Sequence, residues 1–179
     1  MKLTPTYIDG VLLALNAIPS VTAIIDAHRC YLERSWVFSA LNDWRGGTAA
    51  SGPYEKDARL LSPNLGHARL VLGSEPLLEH YVGLLAKRFP EKPVMLVAST
   101  LSFLAGTDLD GLARDMSARL GRPVIAVGRE VTDEDWIDGW RRVEKAWFEH
   151  LSESGEVEGN VGVVGFGLHR LEQDEMSNL

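Results

Sequence analysis

A single cysteine, Cys30, stands in the 179-residue chain, inside the stretch IIDAHRCYLERSW. His28 and Arg29 precede it directly, and Asp26 ends the apolar run before them. A thiol so placed has three chemistries open to it: metal ligand, nucleophile, or small buried hydrophobe. The first two need the thiolate, which positive neighbours and the N-terminus of a helix stabilise. A free cysteine without such a setting is commonly buried and inert. The position of Cys30 relative to the strand before it and the helix after it therefore decides its use.

Other segments carry chemistry-bearing residues in weaker patterns. STLSFLAGTDLDGL, Ser99–Leu112, offers hydroxyls, Gly106 and the carboxylates of Asp108 and Asp110. Such a turn can bind an anion. The plainer reading, and the favoured one, is helix capping with Thr107 or Asp108 at the N-cap. GVVGFG, Gly162–Gly167, has its glycines in the wrong order for a dinucleotide-binding G-x-G-x-x-G turn. His67 and His80 have no second ligand at metal-binding spacing. Trp136, Trp140 and Trp147 fall on one side of a helical pattern, which marks a packing face. No Ser-His-Asp order, phosphate-binding loop or zinc pattern occurs.

The elements that must position these residues alternate along the chain. Val21–Asp26, Ala68–Gly73, Pro93–Ala98, Pro123–Val127 and Val161–Gly165 read as strands, mostly continuous apolar runs of the kind buried on both faces of a parallel sheet. Between them lie amphipathic stretches at Tyr7–Ile18, Cys30–Trp44, Glu75–Phe89, Leu109–Leu120 and Thr132–Leu151. Pro19 and Pro90 supply stops, Gly121 a C-cap, and Thr132 with Asp135 a variant of the capping box. The alternation predicts an α/β fold, a Rossmann-like three-layer domain with a mainly parallel sheet flanked by helices and right-handed crossovers. Ligands in such sheets bind beyond the carboxyl ends of the strands. That places Ala27–Cys30, Thr100–Asp108 and Gly128–Thr132 at the candidate site. Arg45–Gly66, rich in Gly, Ser and Pro, reads as a long functional loop, and Ser152–Asn160 as an acidic linker.

Composition narrows the class. With 45% hydrophobic residues, the chain 1–179 is expected to form a single domain around one core. A net charge of -7 argues against non-specific binding to nucleic acid or to an anionic membrane. No apolar run reaches roughly 18 residues, so no transmembrane helix is expected. Asp9 and Asn16 interrupt the N-terminal apolar stretch, which therefore does not read as a signal peptide. One cysteine cannot close an internal disulfide, which fits a reducing cytoplasm. After the strand at Val161–Gly165, FGLHRLEQDEMSNL starts like a loop and helix and then stops, so two expectations stand: the chain is the N-terminal part of a longer protein, or the last helix packs as a terminal element.

In order and spacing these segments resemble the nitrogenase component 1 superfamily, which includes the nitrogenase molybdenum-iron subunits and the dark-operative protochlorophyllide reductases. YIDGVLLALNAIPSVTAIIDAHRC is similar to the family's opening: a helix with glycine, an IP turn, a strand, then a cysteine after an HGP-like triplet, here Ala27-His28-Arg29. ARLVLGSEPLLEHYVGLLAKRFPEKPVMLVASTLSFLAGTDLDGL is similar to its central block, where a strand ends in a Thr-Cys pair before a Gly-Asp turn. GRPVIAVG and VGVVGFG fit the next two strands. The resemblance implies an oxidoreductase component that works as a homo- or hetero-oligomer. It would accept electrons from an ATP-dependent reductase, with an iron–sulfur cluster at the subunit interface. In cluster-bearing members three cysteines per subunit are ligands. The central one matches Cys30, while the others fall near Thr6 and at Leu101. A cluster held wholly by cysteine needs four thiolates, and a symmetric pair of these chains supplies two. Cofactor binding here would thus rest on Cys30 as the metal ligand, helped by His28 or Asp26, or on a different partner subunit. A divergent scaffold that has lost the cluster, and a Rossmann-like small-molecule binding domain, are the competing expectations.

Overall fold

The computed structural model describes residues 5–18, 20–28, 30–31, 59–66, 71–128 and 134–153. Helix α1 spans Tyr7–Ala17, strand β1 Thr22–Asp26, β2 Leu60–Leu61 and helix α2 Glu75–Arg88. Strand β3 spans Val94–Ala98, α3 Thr100–Ala105, α4 Leu109–Leu120, β4 Val124–Val127 and α5 Trp136–Glu153. The described strands form one parallel sheet in the order β2-β1-β3-β4. The middle pair is in register from Thr22↔Val94 to Asp26↔Ala98.

The two faces of the sheet follow the period of two along each strand. Ala23, Ile25, Met95, Val97 and Val127 face a layer built from α1 and α5, where Tyr7, Val11, Leu15 and Val143 are buried. Ile24, Leu61, Val94, Leu96, Ala98 and Val124 face the other layer, where α2 buries Leu78, Val82 and Leu85 and α4 buries Leu112 and Met116. This is the expected three-layer α/β arrangement. Both central strands are buried along their whole length, which is why they read as unbroken apolar runs.

Local chemistry sets the helix ends. Thr6 and Asp9 form a reciprocal capping box at the start of α1. Asp108 caps α4 by accepting the N–H of Gly111, and Gly121 closes the same helix at φ 63°. On α4's inner side, the Ser117 hydroxyl accepts the N–H of Val124 at 2.9 Å and donates to the same residue's carbonyl at 3.2 Å.

Four expectations change. Val71 and Leu72 of the expected strand Ala68–Gly73 lie in a helical turn, 85% and 80% exposed. The edge strand is instead Leu60–Leu61, inside the stretch read as a loop; at two residues it is too short to give a sequence pattern. Thr100–Ala105, read as a turn, is a short helix capped by Ser99. Helix α5 begins at Trp136, because Asp135 accepts the N–H groups of Ile137 and Asp138 and so takes the cap expected at Thr132, which lies outside the described residues. Also outside them are the expected strand Val161–Gly165 and the expected helix Cys30–Trp44 beyond Tyr31.

Candidate functional site at the carboxyl edge of the sheet

The carboxyl ends of β1 and β3 lie side by side, since Asp26 pairs with Ala98. Ser99 follows Ala98 and is fully buried. Its hydroxyl donates to the Asp26 carbonyl at 2.6 Å and accepts the N–H groups of Leu101 and Ser102 at the start of α3. One side chain thus joins two strand ends and a helix.

Asp26 is also fully buried. Its Oδ2 accepts a hydrogen bond from the Ser74 hydroxyl at 3.0 Å, while Oδ1 is buried without a hydrogen-bond partner. Ser74 stands at the N-cap of α2, but its hydroxyl serves Asp26 rather than the helix. Burial pushes the Asp26 pKa from 3.8 up to about 6. The Ser74 hydroxyl opposes that shift, the nearby Glu75 carboxylate adds to it, and the Thr107 hydroxyl opposes it. A carboxyl group that is neutral or charged near physiological pH, at the end of a strand, is suited to holding or releasing a proton.

The turn after β1 carries the remaining candidates. The Ala27 carbonyl accepts from the Ser62 hydroxyl at 2.6 Å and from the Leu65 N–H at 3.0 Å. His28 is exposed, and its Nδ1 accepts the Cys30 N–H at 3.3 Å. That contact turns Nδ1 to the backbone and leaves Nε2 as the free ring nitrogen. Cys30 is a free, exposed thiol. A packed, apolar setting for its sulfur is therefore not what the fold provides.

The start of α1 reaches the same edge, because the Tyr7 hydroxyl donates to the carbonyl of Gly128, just past β4, at 3.3 Å. Thr6, Cys30 and Leu101, the three positions where the resemblance places cluster ligands, thus belong to segments at one edge of the sheet. Only one of them is a thiol. The Thr6 hydroxyl donates to Asp9 Oδ2 at 2.9 Å, and Leu101 has no donor atom in its side chain. Among the described residues no three His, Cys, Asp or Glu side chains gather at metal-binding distance. This donor set does not fit a cysteine-ligated iron–sulfur cluster.

A sequence profile described as "Nitrogenase component 1 type Oxidoreductase" matches residues 8–172. The chain belongs to that family. Two solved structures share its fold: "Nitrogenase Cp1 at pH 5" has a TM-score of 0.66 at 14% identity, covering 81% of this chain and 29% of the matched one. "Nitrogenase Cp1 at pH 6.5" has a TM-score of 0.59 at 15% identity, covering 72% and 24%. Both matched chains are therefore several times longer than the part this chain covers. No curated protein matches the sequence. Within the described residues no helix is long and apolar enough to cross a membrane.

Sequence reasoning placed Asp26, His28 and Cys30 at this edge and singled out the Ser99–Leu112 turn. It missed Ser74 and Ser62, whose hydroxyls hold the turn after β1. Ser74 precedes Glu75 and Pro76, a helix-start signal that hides its other use.

Proposed function

We propose that this family member serves as a docking and assembly domain of a component 1-type oxidoreductase system and holds no iron–sulfur cluster by its own residues. The observation that carries the reading is the donor set at the carboxyl edge: Cys30 alone among the three family ligand positions, with Thr6 committed to a helix cap. The exposed Cys30 thiol supports a reducing, cytoplasmic location. Anaerobic purification followed by iron and acid-labile sulfide assays tests the reading. Neither element should accompany the chain in stoichiometric amount, and stoichiometric iron and sulfide on the isolated chain would reject it.

One observation favours a second reading. Cys30 is exposed at the edge where a partner can reach it. In that reading the chain forms a homo- or hetero-oligomer whose partner completes the ligand set, and the assembly accepts electrons from an ATP-dependent reductase. Iron retained only by the co-purified complex, and lost with Cys30→Ser, would favour it.

A further inference from the structure

In a cluster-bearing protein the metal does mechanical work as well as redox work, because it cross-links the segments that hold its ligands and binds only the folded chain. Here the segments at the corresponding edge are joined by other means. The Ser99 hydroxyl ties the end of β3 to the Asp26 carbonyl at the end of β1. Ser74 ties the start of α2 to the Asp26 carboxyl, and Ser62 ties the end of β2 to Ala27. Tyr7 ties the start of α1 to Gly128 beyond β4. Ser99, Asp26 and Ser74 are all buried, so these bonds are shielded from competition with water. The residues at the ligand positions share in the same local order: Thr6 caps α1, and the Leu101 N–H is bound by Ser99.

We infer that this edge is a self-standing, metal-independent version of the family's cluster-bearing edge, in which the Ser99 hydroxyl clamps together the ends of β1 and β3 that a cluster at Cys30 and Leu101 would otherwise cross-link, and the Ser74, Ser62 and Tyr7 hydroxyls fasten the neighbouring segments to the same edge. The inference rests on the reading that the chain's own residues hold no cluster. It adds that the fold needs none.

The test uses the full chain, with thermal unfolding followed by circular dichroism. One sample contains a strong chelator; the other is incubated anaerobically with ferrous iron, sulfide and a thiol reductant, then desalted and assayed for iron. The expected result is the same Tm in both samples and no retained iron. Ser99→Ala and Ser74→Ala are melted alongside, and each should lower Tm by about 3 °C or more in the chelator sample, through loss of a buried hydrogen bond. Two variants are used because Ser99→Ala also removes a helix cap and can fail to fold. A higher Tm with stoichiometric iron after reconstitution would overturn both the clamp and the cluster-free reading. An unchanged Tm in both serine variants would overturn the clamp alone.

Discussion

Gly10 and Gly139 meet where α1 crosses α5, each occupying space that the other helix's backbone denies to a side chain. A Cβ on Gly10 would fall on the Trp136 carbonyl, and one on Gly139 would fall on the Tyr7 carbonyl. The contact lets the two helices close over Ala23, Ile25 and Val97 as one layer. Gly10→Ala and Gly139→Ala should each lower the unfolding free energy by about 1–3 kcal/mol, because the helices must separate. Gly83, mid-way along α2 with open space around it, is the control: Gly83→Ala should be stabilising by about 0.5–1 kcal/mol. Urea unfolding of the three variants provides the comparison.

Asp26 gives stability a pH dependence of defined sign. Its pKa in the folded protein, about 6, lies above the ordinary value of 3.8, so folding favours the protonated form. The favourable contribution is complete below pH 4 and is lost as pH rises through 6. The shift corresponds to an order of magnitude of about 3 kcal/mol between those limits. Asp26→Asn, close in shape and always neutral, should be more stable than the native protein at pH 7.5 by about 1–3 kcal/mol. Near pH 4.5 the difference should shrink or reverse. Denaturant midpoints at the two pH values settle it, and equal differences at both would contradict a raised pKa.

Cys30 should react with a thiol reagent in the native protein at a rate close to that of an unfolded control, since its sulfur is exposed. Cys30→Ser should change stability by less than about 0.5 kcal/mol, as for an ordinary surface position. Reaction seen only after denaturant is added would show that other parts of the chain or a partner cover the thiol.

Arg122 fastens the loop that leads into β3. Its guanidinium donates to the carbonyls of Ala86 and Phe89, both at 2.9 Å, and to that of Lys92. Arg122→Met keeps the stem and removes the fork, so it should cost about 2–3 kcal/mol. Arg122→Lys should recover little of that loss, because one ammonium cannot reach three carbonyls in a planar fan. Thermal melts of the two variants would distinguish a fork from a simple positive charge.

The legible parts of the fold were those where one physical cause dominated. The expected strands Val21–Asp26, Pro93–Ala98 and Pro123–Val127 coincide with β1, β3 and β4 to within one residue, because the sheet's central strands are buried along their length and β4 at its ends, which favours apolar runs with polar residues only at the strand ends. The stretch at Ala68–Gly73 has the same apolar composition, yet Val71 and Leu72 point to solvent. Composition alone does not report which apolar residues find a partner. In the site, Asp26 and Ser99 were visible as polar residues at the ends of apolar runs. Their joint use through Ser74 was not, because Ser74 lies 48 positions from Asp26 and only the β1–α2 contact brings them together.

The two outer strands of the described sheet also bear on solubility. A strand edge with free amides is a template on which another chain can grow. On one side β2 is only two residues long and presents little such edge. On the other, the Ser117 hydroxyl engages both the N–H and the carbonyl of Val124, which point away from β3. A short margin on one side and the Ser117 hydroxyl on Val124 on the other thus occupy, within the described sheet, backbone positions on which another strand could grow.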